Sequence, residues 1–152
     1  MSWVCCRIAF AFNSLDGLDI LSGDNRMMIL LAVILILWLH FIGDFLLQTD
    51  EMALNKSHSW KWLSIHALVY GLPFYVVLGL INFKAGVIYA LINSILHGLV
   101  DTVTSRITAR LWAKGERHWF FVVIGLDQVI HYTCLLLSPF VILYVLSLFL
   151  PY

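Results

Sequence analysis

The sequence predicts an all-α membrane protein, a polytopic bundle with four main transmembrane helices. Three observations predict this fold class. The chain of 152 residues is 62% hydrophobic and 12% charged, with a mean hydropathy of +0.93, a composition typical of integral membrane proteins. Its apolar residues gather in segments close to the ~20 residues that a helix needs to cross a bilayer. The few polar residues inside those segments recur at helical spacing.

The N-terminal residues differ from the rest of the chain. We predict that residues 1–26 form an interfacial or loose extension, and that residues 27–152 form the transmembrane four-helix domain. The apolar stretch from Trp3 to Phe12 is too short to span a bilayer, and Arg7 interrupts it. A secretory signal is the alternative, although no small-residue cleavage site is evident.

Four apolar segments follow the extension, over residues 28–48, 63–80, 85–105 and 119–149. Each of the first three has the length of one membrane crossing. The fourth is too long for one untilted span, and Pro139 is predicted to kink or break it because proline removes a backbone donor. Pro73 is a candidate kink in the second segment.

The basic residues predict which loops face the cytoplasm. Six of them follow the first and third segments, and three lie on the other side: Lys56, Lys61, Arg106, Arg110, Lys114 and Arg117 against Arg7, Arg26 and Lys84. Because cytoplasmic loops carry an excess of lysine and arginine, we place the first and third loops in the cytoplasm and both termini outside.

Charge and cysteine content exclude other classes. Nine basic and nine acidic residues give a formal net charge of zero, so the chain lacks the basic character that a nucleic-acid partner requires. Cys5, Cys6 and Cys134 form no CxxC pair or zinc-finger spacing, and we interpret them as free thiols. Membrane lipids are the expected partners, and a homo-oligomer is an open alternative.

Three pairs of histidine and aspartate lie inside the apolar segments, four residues apart in each case: His40 and Asp44, His97 and Asp101, Asp127 and His131. His66 lies in another apolar segment. Residues one helical turn apart project from one face. A carboxylate in hydrocarbon is costly and needs a partner. No lysine or arginine lies in these segments to serve as that partner, so the best remaining neutraliser is a proton or a metal ion.

Helices of alternating direction are predicted to bring these seven side chains into one layer. At about 1.5 Å per residue, most would lie ~6–12 Å below the surface that carries the first and third loops. Imidazole and carboxylate ligands suit zinc, manganese, iron or nickel, and seven of them are enough for one or two divalent ions. Any single pair could instead be a hydrogen bond within a helix, but three pairs together favour a metal or proton-active site.

Three further polar residues are predicted to support the ligands: Gln48, Asn93 and Gln128. For Gln48 the alternative is solvation of a helix end, and for Asn93 it is a hydrogen bond between helices. Gly43 and Gly98 stand beside ligands and are expected to permit a close approach of helices.

The stretch from His40 to Thr49, HFIGDFLLQT, with Met52, Ala53 and Lys56 after it, resembles the signature of a small family of bacterial and phage inner-membrane proteins, the domain of unknown function 3307. His66 and the two later pairs fall where that pattern continues. The resemblance covers about residues 28–152, so that residues 1–26 look like an addition. It implies a multi-pass protein of the bacterial inner (cytoplasmic) membrane and implies no activity. The HxxxD pattern is also similar, more weakly, to that of predicted membrane-bound metal-dependent hydrolases, an analogy of site chemistry.

Three functions are compatible with these features. The leading hypothesis is a metal-dependent hydrolase that acts on a lipid or lipid-linked substrate in the cytoplasmic leaflet, with catalytic carboxylates at Asp44, Asp101 and Asp127. The second is a transporter of protons or divalent metals, which needs a polar route across both leaflets. The far halves of the segments contain no ionisable acid or base beyond tyrosines, and this favours a site over a pathway. The third is a non-enzymatic bacterial or phage accessory protein.

Overall fold

The structure is a computed structural model that describes residues 23–149, with side chains described for residues 25–144. This part of the chain contains five α-helices and one π-helical turn and no β-strand, which confirms the predicted all-α class. The elements are α1 (Gly23–Phe41), the π turn (Ile42–Leu46), α2 (Asp50–Asn55), α3 (Trp60–Ile81), α4 (Phe83–Ala113) and α5 (Arg117–Phe149). Most of the predicted N-terminal extension, with Cys5 and Cys6, lies outside the described residues.

Four helical stretches are long and apolar enough to cross a membrane: Asn25–Leu46, Trp60–Ile81, Phe83–Ala113 and Arg117–Tyr144. Each overlaps one predicted segment. The third extends two turns beyond the predicted limit at residue 105. Those two turns contain charged and polar residues, so the apolar pattern that defined the segment ended before them. Helix α5 continues through Pro139 and α3 through Pro73, so neither proline ends its helix.

Short connections fix the order of the helices. Asn82 alone separates α3 from α4, and its Oδ1 accepts a hydrogen bond from the Ala85 amide at 3.1 Å, which caps the start of α4. Thr49 caps α2 through a 3.3 Å bond from the Met52 amide. Gly115, between α4 and α5, has a φ of 76°, a left-handed conformation that favours glycine after a helix.

The π turn places Asp44 against α3. The Leu47 amide donates to the Ile42 carbonyl at 2.9 Å, a bond across five residues that adds one residue to the turn. Gly43 then lies on the backbone of Tyr70, where an added Cβ would come within 2.6 Å of the carbonyl oxygen. A Cβ on Gly98 would lie 3.2 Å from that of Ala67. The predicted close approach of helices at both glycines is confirmed.

Helix α3 packs on α4, α4 packs on α5, and the π turn and α2 pack on α3. The apolar core of this arrangement consists of six buried residues: Leu39, Tyr70, Phe74, Tyr89, Ala90 and Leu135. Those on α3, α4 and α5 lie one or two turns from the histidines of the same helices, toward the Asn82 connection. The histidines are therefore closed off by apolar packing on that side.

Candidate metal centre

The structure brings the seven predicted ligands into one cluster. Six of them are buried, with 0–4% of their surface exposed: His40, Asp44, His66, His97, Asp101 and His131. The side chain of Asp127 is 13% exposed and lies at the edge of the cluster. Each histidine and aspartate of the cluster comes from the π turn, the end of α1, or one of the helices α3, α4 and α5.

Two imidazole nitrogens form the centre of the cluster. His66 Nε2 and His97 Nε2 lie 3.0 Å apart. Asp44 Oδ1 lies 3.2 Å from the first nitrogen and 3.5 Å from the second. Asp101 Oδ2 approaches the same two atoms, at 3.4 and 3.6 Å. Each carboxylate therefore completes a triangle with the same pair of imidazoles.

These triangles have the dimensions of a metal coordination shell. Zinc bonds of about 2.0–2.2 Å to nitrogen and oxygen place neighbouring ligand atoms of a tetrahedron roughly 3.3–3.6 Å apart. Five of the six distances among these four atoms lie within or just below this range, at 3.0–3.6 Å. The Nδ1 atoms of His66 and His97 are buried without a hydrogen-bond partner, so internal bonding does not satisfy these rings. The group Asp44, His66 and His97 could hold a metal ion.

A second group lies beside the first. His131 stacks on His97, with ring centroids 4.2 Å apart, and its Nε2 lies 3.9 Å from Asp101 Oδ1. Its Nδ1 lies 3.4 Å from Asp127 Oδ2, yet neither ring nitrogen has a well-formed hydrogen bond. The group His97, Asp101 and His131 could also hold an ion, as could His40, Asp44 and His131. Each pair of these groups shares one residue: Asp44, His97 or His131.

Gln128 links the cluster from α5. Its Nε2 donates to Asp44 Oδ2 at 3.0 Å and to Asp127 Oδ2 at 3.1 Å, while its Oε1 lies 2.8 Å from His40 Nε2. His40 Nδ1 is 3.3 Å from the hydroxyl of Tyr70. Both nitrogens of His40 thus have hydrogen-bond partners, unlike those of His131. Gln128 thus contacts three of the predicted ligands.

The other two predicted supporting residues differ in their contacts. Asn93 Nδ2 donates to Ser138 Oγ at 2.9 Å and to the Tyr89 carbonyl, so Asn93 makes the hydrogen bond between helices that was the alternative prediction. Gln48 lies in the wall of the cavity beside the cluster, where its buried Oε1 has no partner.

Lys56 is the residue that the sequence interpretation missed. Its Nζ lies 2.7 Å from Asp101 Oδ2 and 3.3 Å from His66 Nε2. The expectation that only a proton or a metal ion neutralises the buried carboxylates is therefore wrong: an ammonium group from the end of α2 reaches one of them. Lys56 follows closely on the HFIGDFLLQT signature, which could have marked it as a site residue. From the sequence we instead interpreted it only as one of the basic residues of the first loop.

A cavity of about 520 Å³ opens on the cluster from the side of the first and third loops. Its polar floor includes Asp44, Lys56, Asp101 and Asp127. Its apolar walls include Phe45, Leu54, Trp112, Phe120 and Ile124. The cluster is thus shielded toward Asn82, and its three aspartates line a cavity that opens at the opposite end.

Fold and site together define a class: an α-helical protein with four helices that could span a membrane and buried His/Asp groups that could hold a metal ion. A family described as protein of unknown function (DUF3307) matches residues 30–150, and the chain belongs to that family. The predicted resemblance is confirmed over this range. No curated protein and no solved structure matches the chain.

Proposed function

We propose that this protein is a membrane-embedded metal-dependent hydrolase that acts on a lipid or lipid-linked substrate from the cytoplasmic leaflet of a bacterial inner membrane. One observation carries the proposal. His66, His97 and the two carboxylates Asp44 and Asp101 meet at coordination distances, and the two carboxylates also line a cavity. A buried cluster of this kind is expensive to maintain in hydrocarbon unless it binds or reacts with something.

The position of the cluster supports hydrolysis over transport. Tyr70, Phe74 and Leu135 close the protein on the side toward Asn82, with 0–1% of their surfaces exposed. A transporter needs a polar route that continues across both leaflets, whereas this cluster is accessible from one end. The cavity lies on the side of the loops that the basic residues assign to the cytoplasm.

The residues provide the parts of a metal-assisted hydrolysis. A divalent ion bound by His66, His97, Asp44 and Asp101 would supply Lewis acidity and make water a stronger nucleophile. Asp127 faces the cavity and contacts His131 Nδ1 at 3.4 Å, which suits it to accept the proton of the attacking water. The Lys56 ammonium lies where negative charge on a substrate would need a partner.

Elemental analysis of the protein purified without chelators tests the metal. We expect zinc, manganese or iron in stoichiometric amount, and its loss in variants His66→Ala and His97→Ala. His118→Ala alters an exposed histidine outside the cluster and serves as the control. Protein that carries no stoichiometric metal, and gains none on incubation with these ions, would contradict the proposal.

Proteoliposomes separate the hydrolase from the transporter. In vesicles of mixed phospholipids we expect slow, metal-dependent release of a hydrolysis product, detected by mass spectrometry. We expect no flux of zinc or manganese above that of protein-free vesicles. Robust metal flux without hydrolysis would favour the transporter instead.

A further inference from the structure

The described helices leave a lateral gap beside the candidate metal centre. The π turn, α3, α4 and α5 pack in succession. Within residues 23–149, however, no Cα atom of Ile42–Leu46 lies within 8 Å of a Cα atom of Arg117–Phe149. Helices that pack directly have axes only about 8–10 Å apart, so their nearest Cα atoms are less than 8 Å apart. The side chain of Gln128 instead joins α5 to Asp44 and His40, and the His40 ring packs on Tyr132 with ring centroids 4.9 Å apart. The gap therefore lies on the side of these contacts toward the first and third loops.

The cavity reaches this gap and is apolar there. Phe45 lines it from the π turn, and Phe120 and Ile124 line it from α5. Phe45 is 45% exposed although it also faces the cavity. Both helical stretches that border the gap are among those able to span a membrane. An occupant that passes between Phe45 and Ile124 would therefore have one end in the cavity and the other in hydrocarbon.

The opposite end of the cavity is polar and carries a cation. Among the described residues that line it, Lys56 is the one lysine or arginine. Its side chain is 16% exposed, and its Nζ stands beside Asp101 and His66, where the metal ligands meet. An ammonium group and a divalent ion at one end of a pocket complement an anionic group such as a phosphate.

We propose that the cavity binds an anionic lipid whose phosphate lies beside Lys56 and whose acyl chain leaves between Phe45 and Ile124 into the bilayer. The occupant is an amphiphile because the two ends of the cavity differ in polarity, and it arrives laterally because the gap faces the membrane. This inference rests on the proposed function for the identity of the substrate site and for the divalent ion, which together with Lys56 offsets the charge of Asp44, Asp101 and Asp127 in the cavity lining. Lipid binding itself needs no turnover.

Photocrosslinking of the full chain tests this binding mode. The probe is phosphatidic acid with a diazirine near the end of one acyl chain, incorporated into vesicles of phosphatidylcholine, and labelled residues are located by mass spectrometry. We expect labelling to concentrate on Phe45, Phe120 and Ile124. Leu68 and Leu99, which are 65% and 62% exposed, report contact with bulk lipid. Equal labelling at all these positions would overturn the proposal.

A matched pair of variants tests the gap. Ile124→Trp narrows the gap, whereas Leu126→Trp adds the same ring to a 54% exposed position on the same helix. We expect the first to reduce labelling of Phe45 on the order of tenfold and the second to leave it unchanged. Phe120→Trp replaces the first variant should that one not fold, as judged by gel filtration. Identical labelling in the narrowed and control variants would show that lipid does not use the gap.

The charge is tested with diacylglycerol that carries the same diazirine chain. Wild-type protein should prefer the phosphate-bearing probe, and Lys56→Met should abolish that preference. Soluble glycerol phosphate should compete poorly, because it lacks the chain. An unchanged preference in Lys56→Met would refute the role of Lys56. Metal content is measured in the same samples. Labelling of Phe45, Phe120 and Ile124 in protein that holds no metal would contradict the hydrolase but not the lipid site. Bound metal without this labelling would contradict the lipid site but not the hydrolase.

Discussion

Lys56 Nζ lies 2.7 Å from Asp101 Oδ2, a contact that joins residues 45 positions apart in the chain. The same carboxylate oxygen lies 3.4 Å from His66 Nε2 and 3.6 Å from His97 Nε2. A metal ion held by these imidazoles and Asp101 would therefore share its carboxylate with an ammonium group. The lysine partly neutralises the cluster, and like-charge repulsion between the ammonium group and a metal ion would limit the affinity for metal.

The first prediction concerns this shared carboxylate. Lys56→Met should destabilise the metal-free protein by roughly 1–3 kcal/mol, because it removes the ammonium partner of a buried carboxylate. Zinc should stabilise the variant more than it stabilises the wild type, because the competing cation is gone. Melting temperatures in EDTA and in zinc measure both effects. Lys114→Met removes an exposed charge at the end of α4 and is the control; equal melting of Lys56→Met and wild type in EDTA would disprove the effect.

Lys56 also shows where sequence reasoning ends. Spacing of four residues placed the histidines and aspartates on helix faces, and the alternating helices then carried them to one level. No comparable rule links a residue after α2 to one in the middle of α4, because a long side chain can extend in many directions from a loop. Counting the charges in the loops could not reveal that the side chain of Lys56 points inward to Asp101.

The π turn was equally hidden from the sequence. The apolar residues around His40 and Asp44 predict a helix, but an apolar stretch is compatible with both an α-helical and a π-helical turn. The extra residue is accommodated because Gly43 rests on the backbone of Tyr70, a contact between distant positions. By contrast, a position of Gln128 near the cluster was predictable, because it lies between Asp127 and His131 and about one helical turn before His131.

The second prediction ranks the histidines. His97 belongs to two of the candidate metal groups, and its Nδ1 has no partner. Both nitrogens of His40 are hydrogen-bonded, to Tyr70 and Gln128. We therefore expect His97→Ala to lose most of the bound metal and His40→Ala to retain most of it, as measured by elemental analysis per mole of protein. The reverse order would show that the metal is held at the His40 end of the cluster.

The third prediction concerns Gln128. Gln128→Leu removes the donor to Asp44 and Asp127 and the acceptor opposite His40. Groups that orient metal ligands are typically worth about 10–100-fold in metal affinity, so zinc affinity should fall by that factor. Competition with a fluorescent zinc chelator measures the change. Gln48→Leu is the matched control, because the Oε1 of Gln48 has no partner to lose; similar losses in both variants would contradict the assigned contacts.

The fourth prediction tests whether the close approach at Gly43 positions Asp44. In Gly43→Ala the added Cβ would lie 2.6 Å from the Tyr70 carbonyl oxygen, which is backbone and cannot rotate away. The π turn must then move from α3, at a cost of about 1–3 kcal/mol, and Asp44 moves with it. In Gly125→Ala nothing lies within 4 Å of the new Cβ, and the helix gains up to about 1 kcal/mol. We expect Gly43→Ala to melt lower and bind zinc more weakly, and Gly125→Ala to match or exceed the wild type in both. Normal zinc binding in a destabilised Gly43→Ala would show that the turn supports the fold without positioning Asp44 for metal.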